Sequence, residues 1–413
     1  MRPSRALVAH AAAALAELLE FTRPADQALS AYFRSHRTLG QQDRAFIAET
    51  VFAVLRRKRS LEAAAGSAAP RDLAIAALVR VFGLSGRAFE ATGAGDAALA
   101  ARLKAAPASR PEGAVQADLP DWLWQRLVAE YGGEEAAAIA RGLLSPAPLD
   151  LRVNLARLTR EAALARLGLE SAATPHSPAG IRLKGKPQIN RHALFLEGSV
   201  EVQDEGSQLL AYLLAPRRGE MVADFCAGAG GKTLAVSMLM HGAGRVYAMD
   251  VSAKRLRELA VRAARAGISN VHPIVLSGEG DVRAKRLAGK LDRVLVDAPC
   301  SGFGTLRRNP DLKWRHDAAA VAELAAKQLR ILNAAAKLLK PGGRLVYATC
   351  SILSEENEAV AERFAAAHPE FKPLSCADLL AAQRISIETG KYLRLWPHRH
   401  GTDGFFAAAF ERR

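Results

Sequence analysis

Cysteine is scarce in this chain. Its four residues, at 226, 300, 350 and 376, form no Cys-x-x-Cys pair. That spacing excludes a zinc ribbon and a disulfide framework, and reduced thiols in the cytoplasm are expected. Long apolar runs are also missing. No stretch reaches the roughly 18 residues a membrane span needs. The Ala/Leu-rich start, Met1 to Leu19, is interrupted by His10, Glu17 and Glu20 at helical spacing, which predicts an amphipathic helix rather than a secretion signal. Acid is short relative to base: 42 Asp and Glu against 57 Lys and Arg give a formal charge of +15. The excess is spread along the chain rather than held in one tail, which favours a polyanion in a long groove over a membrane anchor. No repeat period is visible, and His316, His398 and His400 lack partners at metal-ligand spacing. We therefore expect no metal, and a monomer by default.

With 413 residues, 50% of them hydrophobic, the chain can build two or three domains with proper cores. Residues 1–118 read as helices, with apolar positions such as Ala45, Ile47, Val51, Val54 and Leu55 at three- and four-residue steps. The basic run Arg56-Arg57-Lys58-Arg59 closes one of these helices and offers either a solvated end or a phosphate contact. Ala91 to Gly113, rich in Gly, Ala and Pro, reads as a loose connection. Residues 119–203 mix helix and strand as a small α+β module. Asp121–Tyr131 and Arg160–Leu167 are helices there, and 149–154, 181–184 and 193–197 are strands. Residues 204–413 alternate strand, glycine turn and helix, with strands at 221–225, 245–249, 271–276, 293–297 and 344–348. Such alternation predicts a doubly wound, Rossmann-like parallel sheet. Gly267 is read as a helix stop, and Pro341-Gly342-Gly343 as a turn into the last of these strands.

The first strand meets its helix through Cys226-Ala227-Gly228-Ala229-Gly230-Gly231-Lys232-Thr233. Glycines let backbone approach a ligand, and the helix start presents free N–H groups. A phosphate-binding loop needs glycine where Cys226 stands, and the dinucleotide fingerprint needs glycine where Thr233 stands. S-adenosylmethionine remains. Asp250, at the end of the second strand, suits a ribose diol, although the same carboxylate would serve NAD. Asp281, beyond the third strand, is a candidate for the adenine amino group, its alternative being a loop charge among Arg283, Lys285 and Arg286.

Two cysteines stand where buried strands end: Cys300 in Asp297-Ala298-Pro299-Cys300, and Cys350 in Thr349-Cys350-Ser351. Carboxyl ends of adjacent strands form the ligand crevice of an open α/β sheet, so both thiols can face one group. A single buried cysteine is more often an apolar filler, which is the reading kept for Cys376. The pair suits covalent activation of an electron-poor ring. A thiolate added at carbon 6 of a cytosine makes carbon 5 nucleophilic, with Asp297 placed to steady the ring nitrogen. Residue chemistry alone does not rank the two thiols.

In this order, the glycine loop, Asp250, Asp-Ala-Pro-Cys and Thr-Cys-Ser make the chain resemble the RsmB/Sun family of RNA (cytosine-5)-methyltransferases. The likeness covers about residues 145–413. It includes Leu151-Arg152-Val153-Asn154, Val202-Gln203-Asp204-Glu205-Gly206-Ser207-Gln208, Arg307-Arg308-Asn309-Pro310-Asp311 and Thr402-Asp403-Gly404-Phe405-Phe406. The N-terminal helices resemble a NusB-like RNA-binding region through Leu39-Gly40-Gln41-Gln42-Asp43-Arg44. The family loop commonly reads Cys-Ala-Ala-Pro-Gly-Gly-Lys, whereas this chain has Gly228-Ala229 at its third and fourth places.

The resemblance implies S-adenosylmethionine as methyl donor, held by residues 226–232 with Asp250, Asp281 and Asp297. It implies Cys350 as nucleophile, Cys300 assisting product release, and Asp297 and Lys232 contacting the base. The substrate implied is RNA, most commonly small-subunit ribosomal RNA, with tRNA the alternative. An unstacked cytosine is required, because a thiol must reach the face of the ring. Arg152, Asn154, Arg307, Arg308 and Lys313 are the candidate RNA contacts, with Trp314 a stacking surface. An amino-group methyltransferase is disfavoured, because Ala298 and Cys300 replace the Pro and Tyr of an Asn/Asp-Pro-Pro-Tyr strand end. A non-catalytic assembly factor is disfavoured by the intact Asp297, Cys300 and Cys350.

Overall fold

The computed structural model describes residues 3–105 and 112–413. They form two compact units, one of residues up to 146 together with 305–318, the other of residues 147–304 and 319–413.

The first unit is helical. Its opening helix, Arg5–Leu18, starts where the Ser4 hydroxyl accepts from the Leu7 N–H, and it buries Val8, Ala11, Leu15 and Leu18 along one face. Helices Ala25–Ser35, Gln41–Arg56, Lys58–Ala65 and Pro70–Arg80 follow, around a core that includes Leu29, Ile47, Val51, Leu55, Leu73 and Ile75. The expected loose connection differs from what is observed: Ala94–Ala105 is a helix, while residues 106–111 lie outside the described residues. Helices Asp121–Tyr131 and Gly133–Leu144 are separated only by the bend at Gly132, whose φ is +79°.

Segment 305–318 is tied into this helical unit by hydrogen bonds. Lys313 Nζ donates to Arg56 O at 2.8 Å, and Trp314 Nε1 to Leu55 O at 2.8 Å. Arg56 donates to Arg307 O at 3.1 Å, and Ala25 N to Asp311 Oδ2 at 3.2 Å. The basic run is used in the same way. Lys58 pairs with Glu62, and Arg59 with Asp121.

In the second unit, β1 (Leu149–Val153), β2 (Ser171–Ala173), β3 (Gly180–Leu183) and β4 (Val200–Val202) make an antiparallel sheet in the order β2-β3-β1-β4. Helix Arg160–Leu167 packs Ala163 and Leu167 against Leu151, Val153 and Ile181 of this sheet. Residues 193–197, expected as a strand, instead form one helical turn, Ala193–Leu196, begun where Leu194 N donates to His192 Nδ1.

The larger sheet holds β5 (Met221–Asp224), β6 (Arg245–Asp250), β7 (Val271–Val275), β8 (Leu291–Asp297), β9 (Leu339–Thr349), β10 (Phe371–Leu374), β11 (Leu393–Leu395) and β12 (Phe405–Arg412). Its order is β10-β12-β9-β8-β5-β6-β7, with β11 paired to β12. Strands β5 to β9 are parallel, and β12 adds antiparallel to β9. Val222, Val246, Val294, Leu295 and Val346 are fully buried, as expected where both faces of a parallel sheet are covered. The doubly wound prediction is therefore met. Pro341-Gly342-Gly343 departs from it, because β9 runs through these residues. Leu339 already pairs with Leu291, and the register is irregular between Leu291 and Arg293. Strand order reverses between β5 and β8, and this switch point is where the glycine loop and the Asp297 loop emerge.

Candidate active site

Strands β8 and β9 are paired with Asp297 opposite Ala348, so the loops leaving their carboxyl ends are neighbours. Cys300 and Cys350 consequently lie with their sulfurs 3.3 Å apart, both free and partly exposed. The Cys350 N–H points at Cys300 Sγ across 3.3 Å. Its hydrogen bond with Cys350, then burial, push the Cys300 thiol well above its ordinary value, which keeps it an S–H group. Cys376 is not part of this pair. It is buried under β12, with Sγ directed at Ala407 O, and its thiol is pushed up to about 12 by burial.

Lys232, in the first turn of the helix Gly231–Leu239, reaches Asp297 Oδ2 at 2.7 Å. Burial, the largest single influence, opposes its charge, but the charge and hydrogen bond of Asp297 together with Cys350 and Asp224 raise the ammonium above its ordinary value. The ammonium also lies 5.5 Å from the centre of the Phe405 ring. One fixed cation thus sits beside the thiol pair, anchored by the carboxylate at the end of β8.

The glycine loop is braced from several sides. Gly228, at φ +55°, donates its N–H to Asp250 Oδ2 at 2.8 Å. Gly230 has φ +88°, and a Cβ there would come within 2.5 Å of Leu259 Cγ, so only glycine lets the turn close on the neighbouring helix. Arg262 donates to Ala229 O and Arg152 to Gly231 O, both at 2.7 Å. Asp250 accepts from Gly228 and Ser252 N–H groups, one on each oxygen, leaving further lone pairs on both. Below the loop, buried Asp224 accepts from the Thr233 hydroxyl at 2.7 Å. Asp281 caps the short helix Val282–Lys285, and its carboxylate is engaged by Arg283 and Ser277. Those bonds, the Arg283 guanidinium first, hold its carboxyl far below the usual range.

The RNA candidates need correction. Arg152, Asn154, Arg307 and Lys313 are all buried, with exposures of 3, 7, 4 and 1%. Arg152 grips the glycine loop, and Asn154 Nδ2 donates to Ala266 O at 3.3 Å. Burial pushes the Lys313 ammonium down to about 7. Arg308 retains partial exposure. Trp314 is a packing residue, beneath the Lys58 and Lys313 ammonium groups and near Phe21. Positive charge in a sequence cannot reveal which cations face inward, and here most of these do. Sequence reasoning also missed Arg262 as a brace for the loop. Its faint signal is a position three residues, one helical step, from buried Leu259 on helix Ala253–Arg265.

Among the described residues no group of three or more His, Cys, Asp or Glu is arranged to hold a metal ion, and no helix is long and apolar enough to cross a membrane.

Residues 211–411 match the family model described as 16S rRNA methyltransferase RsmB/F, and residues 119–190 match the ferredoxin-like domain of RsmF/B-like methyltransferases. The chain is 37% identical over 304 residues to the probable ribosomal RNA small subunit methyltransferase B of Synechocystis sp., covering 72% of this chain and 67% of that protein. It is similar to the crystal structure of PH0851, with a TM-score of 0.79 and 26% identity over 100% of both chains. It is also similar to NSun6 from Pyrococcus horikoshii, solved with SFG, with a TM-score of 0.62 and 22% identity over 71% of this chain and 98% of that one. This last likeness concerns the fold alone.

Proposed function

Since the chain belongs to the RsmB/F family of 16S rRNA methyltransferases, we propose that it methylates carbon 5 of a cytosine in small-subunit ribosomal RNA through a covalent bond from Cys350 to carbon 6. The observation that carries this reading is the thiol pair, 3.3 Å apart at the ends of adjacent strands, with Lys232 and Asp297 joined beside it. An enzyme methylating an amino nitrogen has no use for two such thiols, because the nitrogen lone pair is already nucleophilic.

S-adenosylmethionine fits the residues present. Ala227, Gly228 and Gly230 spend their N–H groups within the protein, so other N–H groups of the loop 226–231 and the spare lone pairs of Asp250 would hold its amino-acid and ribose ends, and when bound it supplies an electrophilic methyl group on sulfur. Asp281 would meet the adenine amino group through whatever acceptor capacity Arg283 and Ser277 leave.

The protein groups then act in sequence. Cys350, as thiolate, adds to carbon 6, and the electron pair moves toward carbon 5 and the ring nitrogen, where Asp297 steadies the charge. Lys232 orients Asp297 and contacts the base. After carbon 5 has gained its methyl group, its proton must leave and the Cys350–carbon 6 bond must break. Cys300, held as an S–H group against Cys350, assists that release.

In functional terms we divide the chain into a helical, NusB-like RNA-binding region (1–118), a small RNA-binding module (119–203) and the catalytic domain (204–413), working as a cytoplasmic monomer. Bisulfite sequencing of total RNA from cells with and without the protein tests the substrate. One cytosine of 16S rRNA should lose its protection in the deletion strain. Loss at a tRNA position instead would move the substrate to tRNA, and no loss anywhere would reject carbon-5 methylation.

A further inference from the structure

Glu356 is fully buried six residues beyond Cys350, just before the helix Glu358–Ala367. Its carboxylate accepts four hydrogen bonds. Oε1 takes the Ser301 N–H at 2.8 Å and Gln328 Nε2 at 2.9 Å. Oε2 takes the hydroxyls of Ser301 and Ser351, each at 2.5 Å. Ser301 directly follows Cys300, and Ser351 directly follows Cys350. Gln328 also donates to Pro299 O at 3.0 Å, one residue before Cys300. On the other side, Asn357 Nδ2 donates to Ser351 O at 3.1 Å, and the Tyr347 hydroxyl donates to Glu356 O at 2.5 Å. All four partners of the carboxylate are neutral. Burying such a group costs several kcal/mol unless its oxygens are satisfied, and packing alone would be served by an apolar side chain. The network connects just those backbone segments that carry the two thiols.

We propose that Glu356 is a positioning residue: by holding Ser301 and Ser351 on one carboxylate it sets the separation and orientation of Cys300 and Cys350. The catalytic consequence rests on the covalent reading given above, whereas the geometric claim concerns the thiols alone. A second effect points the same way. The negative charge of Glu356 adds to Cys350 and burial in raising the Cys300 thiol. Glu356 therefore helps to keep Cys300 protonated while Cys350 attacks.

The test uses the full chain as wild type, Glu356→Gln and Ser351→Ala, with folding checked by circular dichroism and melting temperature. Diamide, a two-electron thiol oxidant, takes up both hydrogens as it joins neighbouring thiols in a disulfide, and peptide mass spectrometry reads the rate of the Cys300–Cys350 link. That rate should fall about tenfold in Glu356→Gln and less in Ser351→Ala, because a misplacement near 1 Å costs on the order of 10²-fold in reactions of this kind. Alkylation of Cys300 by iodoacetamide should shift to lower pH in Glu356→Gln but not in Ser351→Ala, which keeps the carboxylate. Single-turnover methyl transfer should fall about 10- to 100-fold in Glu356→Gln, with the KM for S-adenosylmethionine unchanged. Folded variants with the wild-type linking rate and the wild-type Cys300 alkylation profile would overturn the proposal. If Glu356→Gln does not fold, the linking rate in Ser351→Ala and in Ser301→Ala decides it, an unchanged rate in both counting against. If the thiol measurements change as expected but wild type forms no 5-methylcytosine, the covalent reading fails and the positioning of the thiols by Glu356 stands.

Discussion

Lys232 Nζ and Asp297 Oδ2 lie 2.7 Å apart, so the first turn after the glycine loop is fastened to the end of β8 by a single ion pair. The lysine side chain is 12% exposed and the aspartate 28%, which places the pair at the mouth of the sheet rather than in its core. Lys232→Met should therefore fold but leave Asp297 without its partner and the base without a donor. Methyl transfer should drop by about 10²- to 10³-fold, as when one preorganised charge is removed from a reacting site. The KM for S-adenosylmethionine should change little. A folded Lys232→Met protein with more than a tenth of wild-type kcat would remove Lys232 from the chemistry.

The two thiols should fail at opposite ends of the reaction. Cys350→Ala cannot add to carbon 6, so it should abolish methyl transfer and give no covalent complex. Cys300→Ala should still attack and then stall, leaving a protein–RNA adduct that survives denaturing gel electrophoresis. Adduct in Cys350→Ala and none in Cys300→Ala would make Cys300 the nucleophile. No adduct in either, with activity retained, would reject covalent catalysis altogether.

Asp250 makes a further separable prediction. Its oxygens accept from Gly228 and Ser252 N–H groups, and its spare lone pairs are assigned to the ribose. Asp250→Ala should weaken S-adenosylmethionine binding by about 1.5–3 kcal/mol, the range for hydrogen bonds to a charged group, while the sheet stays folded. Titration calorimetry showing wild-type affinity in the folded variant would take Asp250 out of the cofactor site.

What could be read from the sequence, and what could not, divides along the range of the interactions. The doubly wound sheet was legible because its strands are continuous apolar runs punctuated by glycine turns, a local signal. Cys300 and Cys350 could be paired because strand ends locate them, and parallel adjacency then brings them together. Residues 193–197 read as a strand but form the helical turn Ala193–Leu196, since Ala-Leu-Phe-Leu is apolar enough for either state and the deciding contact is the cap from His192. The helix Ala94–Ala105 was hidden by its alanine- and glycine-rich composition, whose helical stability comes largely from packing. Arg152, Asn154, Arg307 and Lys313 read as RNA contacts in the sequence because charge and motif position do not reveal burial. Glu356 stayed invisible for a related reason: its partners Ser301 and Gln328 are 55 and 28 residues away in sequence.

Asp224 gives the pH-dependent prediction. It is buried beneath the glycine loop, with Oδ2 accepting from Thr233 and Oδ1 without a hydrogen-bond partner. Burial first, and then the charge of Asp297, push its carboxyl up to about 7, whereas Thr233 pulls the other way. In the unfolded chain an aspartate titrates near 3.9. Between about pH 4 and 7 the folded state therefore binds the proton that the unfolded state has released. Asp224's contribution to stability is fully present below about pH 4 and is lost as the pH rises through about 7. Asp224→Asn mimics the protonated acid and cannot titrate. Its stability relative to wild type should climb by up to about 1.4 kcal/mol per pH unit across that window and level off above it. Urea unfolding of both proteins at pH 5, 6, 7 and 8 measures the difference directly. Whatever constant offset the amide introduces cancels in the slope, so a difference that does not change with pH would show that Asp224 is ionised throughout. The glycine loop would then rest on a buried charge rather than on a neutral acid.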